Sequence, residues 1–289
     1  AERLVFFSLE RKALKMPERL MTIRVHMPQL NRDRNVRIYL PPDYFANLGR
    51  RYPVLYMHDG QNLFEPSKLS GFSWEVNQTL DRLFKLDPQR YAFIVVGIDS
   101  STVGTRRLDE YCPWQCRIYE TPENPWNYTL VDGEGDKYSE FIVETLKPII
   151  DSEFRTLPDT EHTMIAGSSL GGLISLYMGL KYNHVFSTVG AFSTALLFTY
   201  DRMVEFISRL DLQSKVKVWL YVGGNEITDP QRPEEALAFL STNTKLCEVL
   251  QKKLGRENVT FVVDKDATHS EEYWRIYFEK FIKWAARGS

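Results

Sequence analysis

The chain has 289 residues, of which 43% are hydrophobic and 26% charged, and its formal net charge at pH 7 is -2. This composition is typical of a globular protein whose core is large enough for a buried site. It excludes binding of nucleic acid or of an anionic membrane through bulk charge, and no apolar run is long enough for a transmembrane helix.

In chain order, the first residues lack the apolar segment of a signal peptide, so we expect a cytoplasmic protein. Segments 19–27 and 35–40 alternate polar and apolar residues, which predicts two antiparallel strands. Short apolar runs follow at 52–57, 93–98, 163–166, 188–192, 216–222 and 259–263. Such runs are typical of central strands in a mostly parallel sheet that is covered on both faces.

Helical periodicity occurs between and after these runs, at 76–86, 138–154, 170–182, 234–254 and 271–286. The alternation of strands and helices predicts an α/β fold in which crossover helices cover both faces of the sheet. The sequence contains no internal repeat and no low-complexity linker. We therefore expect residues 1–289 to form a single domain.

Residues 100–137 break this alternation, because they show no convincing helix or strand pattern and are rich in proline and aromatic residues. A long ordered loop is usually functional, so we interpret this segment as a loop excursion packed near an active site. Within it, Arg106 and Arg107 are expected to form salt bridges with Asp109 or Glu110. The alternative is that the two arginines steer an anionic substrate.

The chain has three cysteines, Cys112, Cys116 and Cys247, and an odd count argues against a disulfide framework. We expect plain thiols, with a local disulfide between Cys112 and Cys116 as the alternative. No cluster of His and Cys has zinc-site spacing. We therefore expect no metal and no cofactor.

The pattern G-x-S-x-G occurs at residues 167–171, which makes Ser169 the candidate nucleophile. It directly follows a predicted strand and precedes a predicted buried helix, the setting of a nucleophile elbow. Gly167 and Gly171 are expected because side chains there would collide with the neighbouring strand and helix. The alternative is a glycine-rich turn that only lets the helix pack closely.

A serine hydroxyl needs a base to take its proton, and nucleophile elbows order their triads as Ser, acid, His along the chain. Of the five histidines, His269 is the one that follows Ser169 with room for an intervening acid. The acid is expected after the strand at 216–222, where Glu226 is the first choice and Asp229 the second. A carboxylate there can hold one tautomer of the histidine.

Two backbone N–H groups are expected to form the oxyanion hole. One belongs to Leu170, directly after the nucleophile, and the other to Gln61, after the strand at 52–57. The substrate is predicted to contact the aromatic residues Trp74, Tyr111 and Trp114, which are expected near the edge of the sheet, since aromatic walls suit a flat or bulky ester. The alternative is that these side chains only pack the loop.

Five segments together resemble the putative esterase family of α/β-hydrolases: Y-P-V-L-Y-M-H-D-G-Q-N-L-F, R-R-L-D-E-Y, I-A-G-S-S-L-G-G-L-I-S-L-Y, Y-V-G-G-N-E and T-H-S-E-E-Y-W. The likeness runs from about residue 37 to 284 and includes esterase D-like, enterochelin esterase-like and feruloyl esterase-like enzymes. It implies an α/β-hydrolase fold with Ser169 as nucleophile and His269 as base, and it favours Glu226 as the acid.

The sequence therefore predicts a serine carboxylester hydrolase that forms an acyl-enzyme with a small-molecule ester, either feruloyl, siderophore-type or short-acyl. Nucleic acid and membrane are not expected as partners. One alternative is an acyltransferase that uses the same triad. The other is a non-catalytic binding protein on a hydrolase scaffold.

Overall fold

The computed structural model describes residues 18–68, 70–119, 128–227 and 233–286, with the backbone alone for 233–236. In this part of the chain, eight strands form one sheet in the order β1-β2-β4-β3-β7-β8-β9-β10, and β5 and β6 form a separate hairpin. The strands are β1 Leu20–Met27, β2 Arg32–Tyr39, β3 Val54–His58, β4 Ile94–Ile98, β5 Cys116–Tyr119, β6 Tyr128–Val131, β7 Thr163–Ser168, β8 Thr188–Phe192, β9 Lys217–Asn225 and β10 Val259–Thr268.

Strand direction follows the predicted pattern. The alternating β1 and β2 pair antiparallel, and β2 pairs antiparallel with β4. From β4 to β10 all neighbours are parallel. Every residue of β3, β4, β7 and β8 is buried, as expected for strands covered on both faces.

Helices cover both faces of this sheet. They are α1 Val76–Leu86, α2 Arg106–Tyr111, α3 Gly135–Glu140, α4 Lys147–Glu153, α5 Leu170–Lys181, α6 Tyr200–Arg209, α7 Pro233–Leu254 and α8 Glu271–Ala285. One hydrophobic cluster contains side chains of α3, α5, α6 and α7. A second cluster contains those of α1 and α8 and lies against other residues of the same strands. Because the strands from β4 to β10 in the sheet are parallel, the residues that follow them lie at one edge of the sheet, its carboxyl edge.

The structure corrects the prediction for residues 100–137, which contain α2, the β5–β6 hairpin and the first residues of α3. α2 has six residues, less than two turns, which is too short for a readable helical period. The hairpin is defined by pairing between β5 and β6 rather than by local pattern. Residues 120–127 of this segment lie outside the described residues.

Two further differences concern helices. The helix predicted at 138–154 begins earlier, as α3, and passes through a π-helical segment, Phe141–Leu146, before α4. The sequence pattern did not reveal α6. Within the described ranges, no helix is both long and apolar enough to cross a membrane.

Candidate active site

Ser169 stands alone between the end of β7 and the start of α5. Its φ of 59° and ψ of -122° are strained for a residue other than glycine. β8 and the residues after it hold this conformation, since the Ser169 N–H donates to the Phe192 carbonyl at 2.9 Å and the Ser169 carbonyl accepts from Ala195 N at 3.1 Å. This is the geometry of a nucleophile elbow.

The glycines of the motif allow this tight turn. A Cβ on Gly167 would stand 2.7 Å from the carbonyl carbon of Gly171, so a side chain there would collide with the helix backbone. A Cβ on Gly171 would stand 3.3 Å from His58 Cβ and 3.4 Å from Asp59 Oδ2. The predicted steric reason for glycine is therefore confirmed at Gly167, and Gly171 brings α5 close to the end of β3.

His269 and Glu226 meet across the ends of β10 and β9. Nδ1 of His269 lies 2.6 Å from Oε2 of Glu226. The Glu226 side chain is fully buried, whereas the His269 side chain keeps 29% exposure in the cleft. Of the two candidate acids, Glu226 has this contact, and Asp229 lies outside the described residues.

Two residues that the sequence did not reveal orient the Glu226 carboxylate. Ser193 Oγ donates to Glu226 Oε1 at 2.6 Å and accepts from Trp274 Nε1 at 2.9 Å. Trp274 also contacts the His269 ring edge-on, with 5.0 Å between ring centroids. Its place in the T-H-S-E-E-Y-W segment was the one available sign of this role.

The predicted oxyanion donors, Leu170 and Gln61, follow β7 and β3, which are neighbouring parallel strands of the sheet. Leu170 is the first residue of α5, so its N–H has no intrahelical acceptor and lies at the positive end of the helix dipole. Gln61 belongs to residues 59–62, which we call the oxyanion loop after the predicted role of Gln61. Its side chain fixes this loop through two bonds to Ser100, one from Ser100 N at 2.9 Å and one to Ser100 Oγ at 2.7 Å.

Glycine is also required in the oxyanion loop. A Cβ on Gly60 would stand 2.6 Å from the carbonyl carbon of Gly97 in β4. The loop therefore lies directly against the neighbouring strand, and its path leaves little room for other conformations.

The first residue of the oxyanion loop, Asp59, is buried and has the left-handed φ of 54°. Arg107 donates to both of its carboxylate oxygens, from Nε at 2.7 Å and from Nη2 at 2.8 Å. Burial alone would raise the pKa of Asp59, but the Arg107 charge and hydrogen bonds outweigh burial and lower this pKa below its ordinary value. The predicted pairing of Arg107 with Asp109 or Glu110 is wrong, because α2 turns Arg107 toward the oxyanion loop.

Beneath this loop, His58 is held in its neutral form. Burial, with a smaller contribution from Arg107, lowers the pKa of His58 to about 3, although Asp59 opposes the shift. Its Nδ1 lies 3.0 Å from the hydroxyl of Tyr138, and the hydroxyl of Tyr111 accepts the Asp59 N–H at 3.0 Å. The rings of His58, Tyr111 and Tyr138 pack against one another beneath the oxyanion loop.

Four of the predicted site residues line one cleft of about 990 Å³: Ser169, His269, Gln61 and Trp74. Among the described residues, no hydrogen bond joins the Ser169 and His269 side chains. Much of the remaining lining is charged: Arg37, Glu65, Lys68, Arg107, Glu271 and Glu272.

Two of the three predicted aromatic contacts do not line the cleft. Tyr111 is fully buried, and its hydroxyl accepts the Asp59 N–H beneath the oxyanion loop. Trp114 packs against Tyr177 and Phe206 and borders a separate surface depression. Trp74 remains in the wall of the cleft but exposes only 2% of its surface.

Glu271 closes the opposite wall of the cleft. It is 7% exposed and accepts hydrogen bonds from Ser70 Oγ at 2.5 Å and from Asn62 Nδ2 at 3.3 Å. Asn62 ends the oxyanion loop, and Glu271 begins α8 two residues after His269. This carboxylate therefore links the oxyanion loop to the segment that contains His269.

All three cysteines are free thiols, as expected, and the sulfurs of Cys112 and Cys116 are 3.8 Å apart. In the part of the chain that the structure describes, no three His, Cys, Asp or Glu side chains are grouped to hold a metal ion.

The chain is similar to known proteins over most of its length. The model of the family described as "Putative esterase" matches residues 27–284. YbbA of Bacillus subtilis (strain 168) is 25% identical over 254 residues, 87% of this chain and 92% of YbbA. The resemblance drawn from the motifs is thereby confirmed.

Two solved structures are similar over nearly the whole chain. Siderophore hydrolase EstA from Aspergillus nidulans has a TM-score of 0.72 at 18% identity, over 99% of this chain and 100% of EstA. A ferulic acid esterase has a TM-score of 0.67 at 21% identity, over 93% of this chain and 98% of the other. These likenesses confirm the predicted α/β-hydrolase fold.

Proposed function

Because this chain belongs to the putative esterase family and is a carboxylic ester hydrolase, we propose that it cleaves esters through an acyl-enzyme formed on Ser169. One observation carries the proposal. At the same edge of the sheet where Ser169 occupies a strained turn, Nδ1 of His269 lies 2.6 Å from the buried carboxylate of Glu226. A nucleophile and an oriented base are the two groups that acyl transfer requires.

In this mechanism, Ser169 Oγ attacks the ester carbonyl and His269 Nε2 takes its proton. Glu226 keeps the Nδ1–H tautomer of His269 and stabilises the imidazolium as it forms. The N–H groups of Leu170 and Gln61 donate to the oxyanion. His269 then protonates the leaving alcohol, and water releases the acid by the same steps in reverse order. The bond between Ser169 and His269 forms when substrate enters, since such contacts are often looser without it.

The substrate we propose is a bulky ester of the feruloyl or siderophore type. The cleft of about 990 Å³ lies at the upper end of small-molecule sites, and its lining combines apolar side chains such as Phe72 and Trp74 with charged and hydroxyl-bearing ones, which suits an ester with both apolar and polar groups. The two similar structures, of a siderophore hydrolase and a ferulic acid esterase, support the same substrate classes. A short-acyl ester would leave most of this cleft unfilled.

The test uses the two adjacent serines. Intact mass is measured after fluorophosphonate treatment of the wild type, Ser169→Ala and Ser168→Ala, together with turnover of p-nitrophenyl acetate. We expect one adduct on the wild type and on Ser168→Ala. In Ser169→Ala we expect no adduct and a loss of turnover of about 10⁴-fold or more.

An adduct that persists in Ser169→Ala would contradict the assignment of the nucleophile. A folded wild type that takes no label and has no turnover would contradict the acyl-enzyme mechanism itself. If labelling succeeds, rates on feruloyl esters, catecholate lactones and short-acyl esters then test the proposed substrate classes.

A further inference from the structure

A negative charge lies beside both predicted oxyanion donors. Asp59 precedes Gln61 by two residues in the oxyanion loop. A Cβ on Gly171, which follows Leu170, would stand 3.4 Å from Asp59 Oδ2. Asp59 also lines the cleft together with Ser169. An uncompensated carboxylate at this place would repel the negative charge that develops on the ester oxygen.

Arg107 supplies the compensation. Its guanidinium binds both oxygens of Asp59, at 2.7 and 2.8 Å, in the bidentate geometry of the strongest ion pairs. An arginine stays charged at every accessible pH. The pair is thus neutral throughout the reaction, unlike a pair with histidine.

The same side chain also supports the shape of the oxyanion loop. The guanidinium carbon of Arg107 lies 5.1 Å from the centre of the Tyr111 ring. The Tyr111 hydroxyl in turn accepts the Asp59 N–H at 3.0 Å. α2 therefore contacts Asp59 at its backbone and at its side chain, and both contacts hold its left-handed conformation.

We propose that Arg107 is a positioning residue for the oxyanion hole, which neutralises Asp59 and fixes the oxyanion loop so that Gln61 N–H faces the developing oxyanion. The inference rests on the proposed function. A purely structural ion pair is the competing explanation, and the two explanations differ in what they predict for the binding of anionic transition-state mimics.

The experiment uses Arg107→Gln, Asp59→Asn, the double variant, and Arg106→Gln as a matched control, since Arg106 is the exposed neighbour on the same helix. Asparagine tolerates the left-handed conformation that Asp59 adopts. Titration with fluorophosphonate gives the concentration of active sites in each variant. Two quantities are then measured. They are kcat/KM for p-nitrophenyl acetate, per active site, and the inhibition constant of an alkyl boronic acid, whose serine adduct is a tetrahedral anion.

We expect Arg107→Gln to lower kcat/KM about 100-fold, mainly through kcat, and to weaken boronate inhibition by a similar factor. The double variant should recover at least tenfold of both losses, because it removes the buried negative charge as well. Arg106→Gln should stay within twofold of the wild type in both quantities. A purely structural pair would change the urea midpoint but not boronate inhibition.

Arg107→Gln with full activity and full boronate affinity would overturn the inference, and so would a double variant no better than Arg107→Gln. If Arg107→Gln does not fold, the double variant decides. Activity within tenfold of the wild type supports neutralisation, and a folded but inactive double variant refutes it. Failure of the proposed function is a separate result, because it appears as a wild type without label or turnover.

Discussion

Two buried carboxylates lie near Ser169, the proposed nucleophile, and their partners differ. Glu226 is the first residue after β9 and pairs with His269, whereas Asp59 is the first residue after β3 and pairs with Arg107. Both are less than 10% exposed. The sheet thus places the same chemical group at two strand ends, and the neighbouring elements give each one a different basic partner.

The difference teaches how one site handles two negative charges. In the proposed mechanism, the positive charge at Glu226 arrives during the reaction, when His269 accepts the serine proton. At Asp59 the positive charge of Arg107 is permanent. The side of the cleft with His269 and Glu226, the base side, can therefore change its charge during turnover. The side with Asp59 and Arg107, the oxyanion side, keeps its charge constant.

The largest expected effect comes from removing the charge on the base side. Glutamine at position 226 keeps the size of glutamate and an acceptor for Ser193, but it cannot stabilise the imidazolium. We expect Glu226→Gln to lower kcat about 10³–10⁴-fold, measured on p-nitrophenyl acetate with the urea midpoint as a check of folding.

The matched control for this variant is Asp266→Asn, which removes an exposed carboxylate from β10, three residues before His269. Its kcat should remain within twofold of the wild type. If Glu226→Gln kept more than a tenth of the wild-type kcat, the contrast between the two carboxylates would fail and the acid would have to be sought elsewhere.

A second prediction concerns the oxyanion side and the neutral His58 beneath it. The pKa of His58 is about 3 in the folded protein and about 6.5 unfolded, so between these values the unfolded chain binds more protons. Stability from this group is therefore complete above pH 6.5 and is lost as the pH falls toward 3. His58 alone should lower the free energy of unfolding by about 2 kcal/mol between pH 7 and pH 5.

Urea unfolding at pH 7 and pH 5 measures this effect in the wild type, His58→Gln and the control His184→Gln, in which the histidine is exposed. The decrease between the two pH values should be about 2 kcal/mol smaller in His58→Gln than in the other two proteins. Equal decreases in all three would show that His58 takes up a proton in the folded state and that the oxyanion side is not constant.

The base side was also the more predictable half of the site. Ser169 and His269 follow from a local motif and from chain order, and Glu226 from its position at a strand end. The pairing of Asp59 with Arg107 joins residues 48 positions apart and depends on how a six-residue helix docks. No periodic pattern reveals such a helix, so its partner was assigned wrongly.

The aromatic residues show the same limit. Trp74, Tyr111 and Trp114 were predicted as one wall because they belong near the same sheet edge. The structure places them in the cleft wall, beneath the oxyanion loop and in a separate depression, respectively. Sequence pattern indicates which residues are apolar, but packing decides which cavity each one faces.

The smallest expected effect tests how firmly the base side must be held. Ser193→Ala removes the hydroxyl that donates to Glu226 at 2.6 Å and accepts from Trp274, while Gly223 N–H still binds the same carboxylate oxygen. One of several orienting bonds is lost, so we expect kcat to decrease about tenfold, equivalent to about 1.4 kcal/mol.

Ser208→Ala, at an exposed position of α6, is the control and should leave kcat unchanged. A loss as large as that of Glu226→Gln would mean that Ser193 is indispensable for holding the carboxylate. No loss at all would mean that Gly223 and His269 suffice, and that the base side is as rigidly built as the oxyanion side.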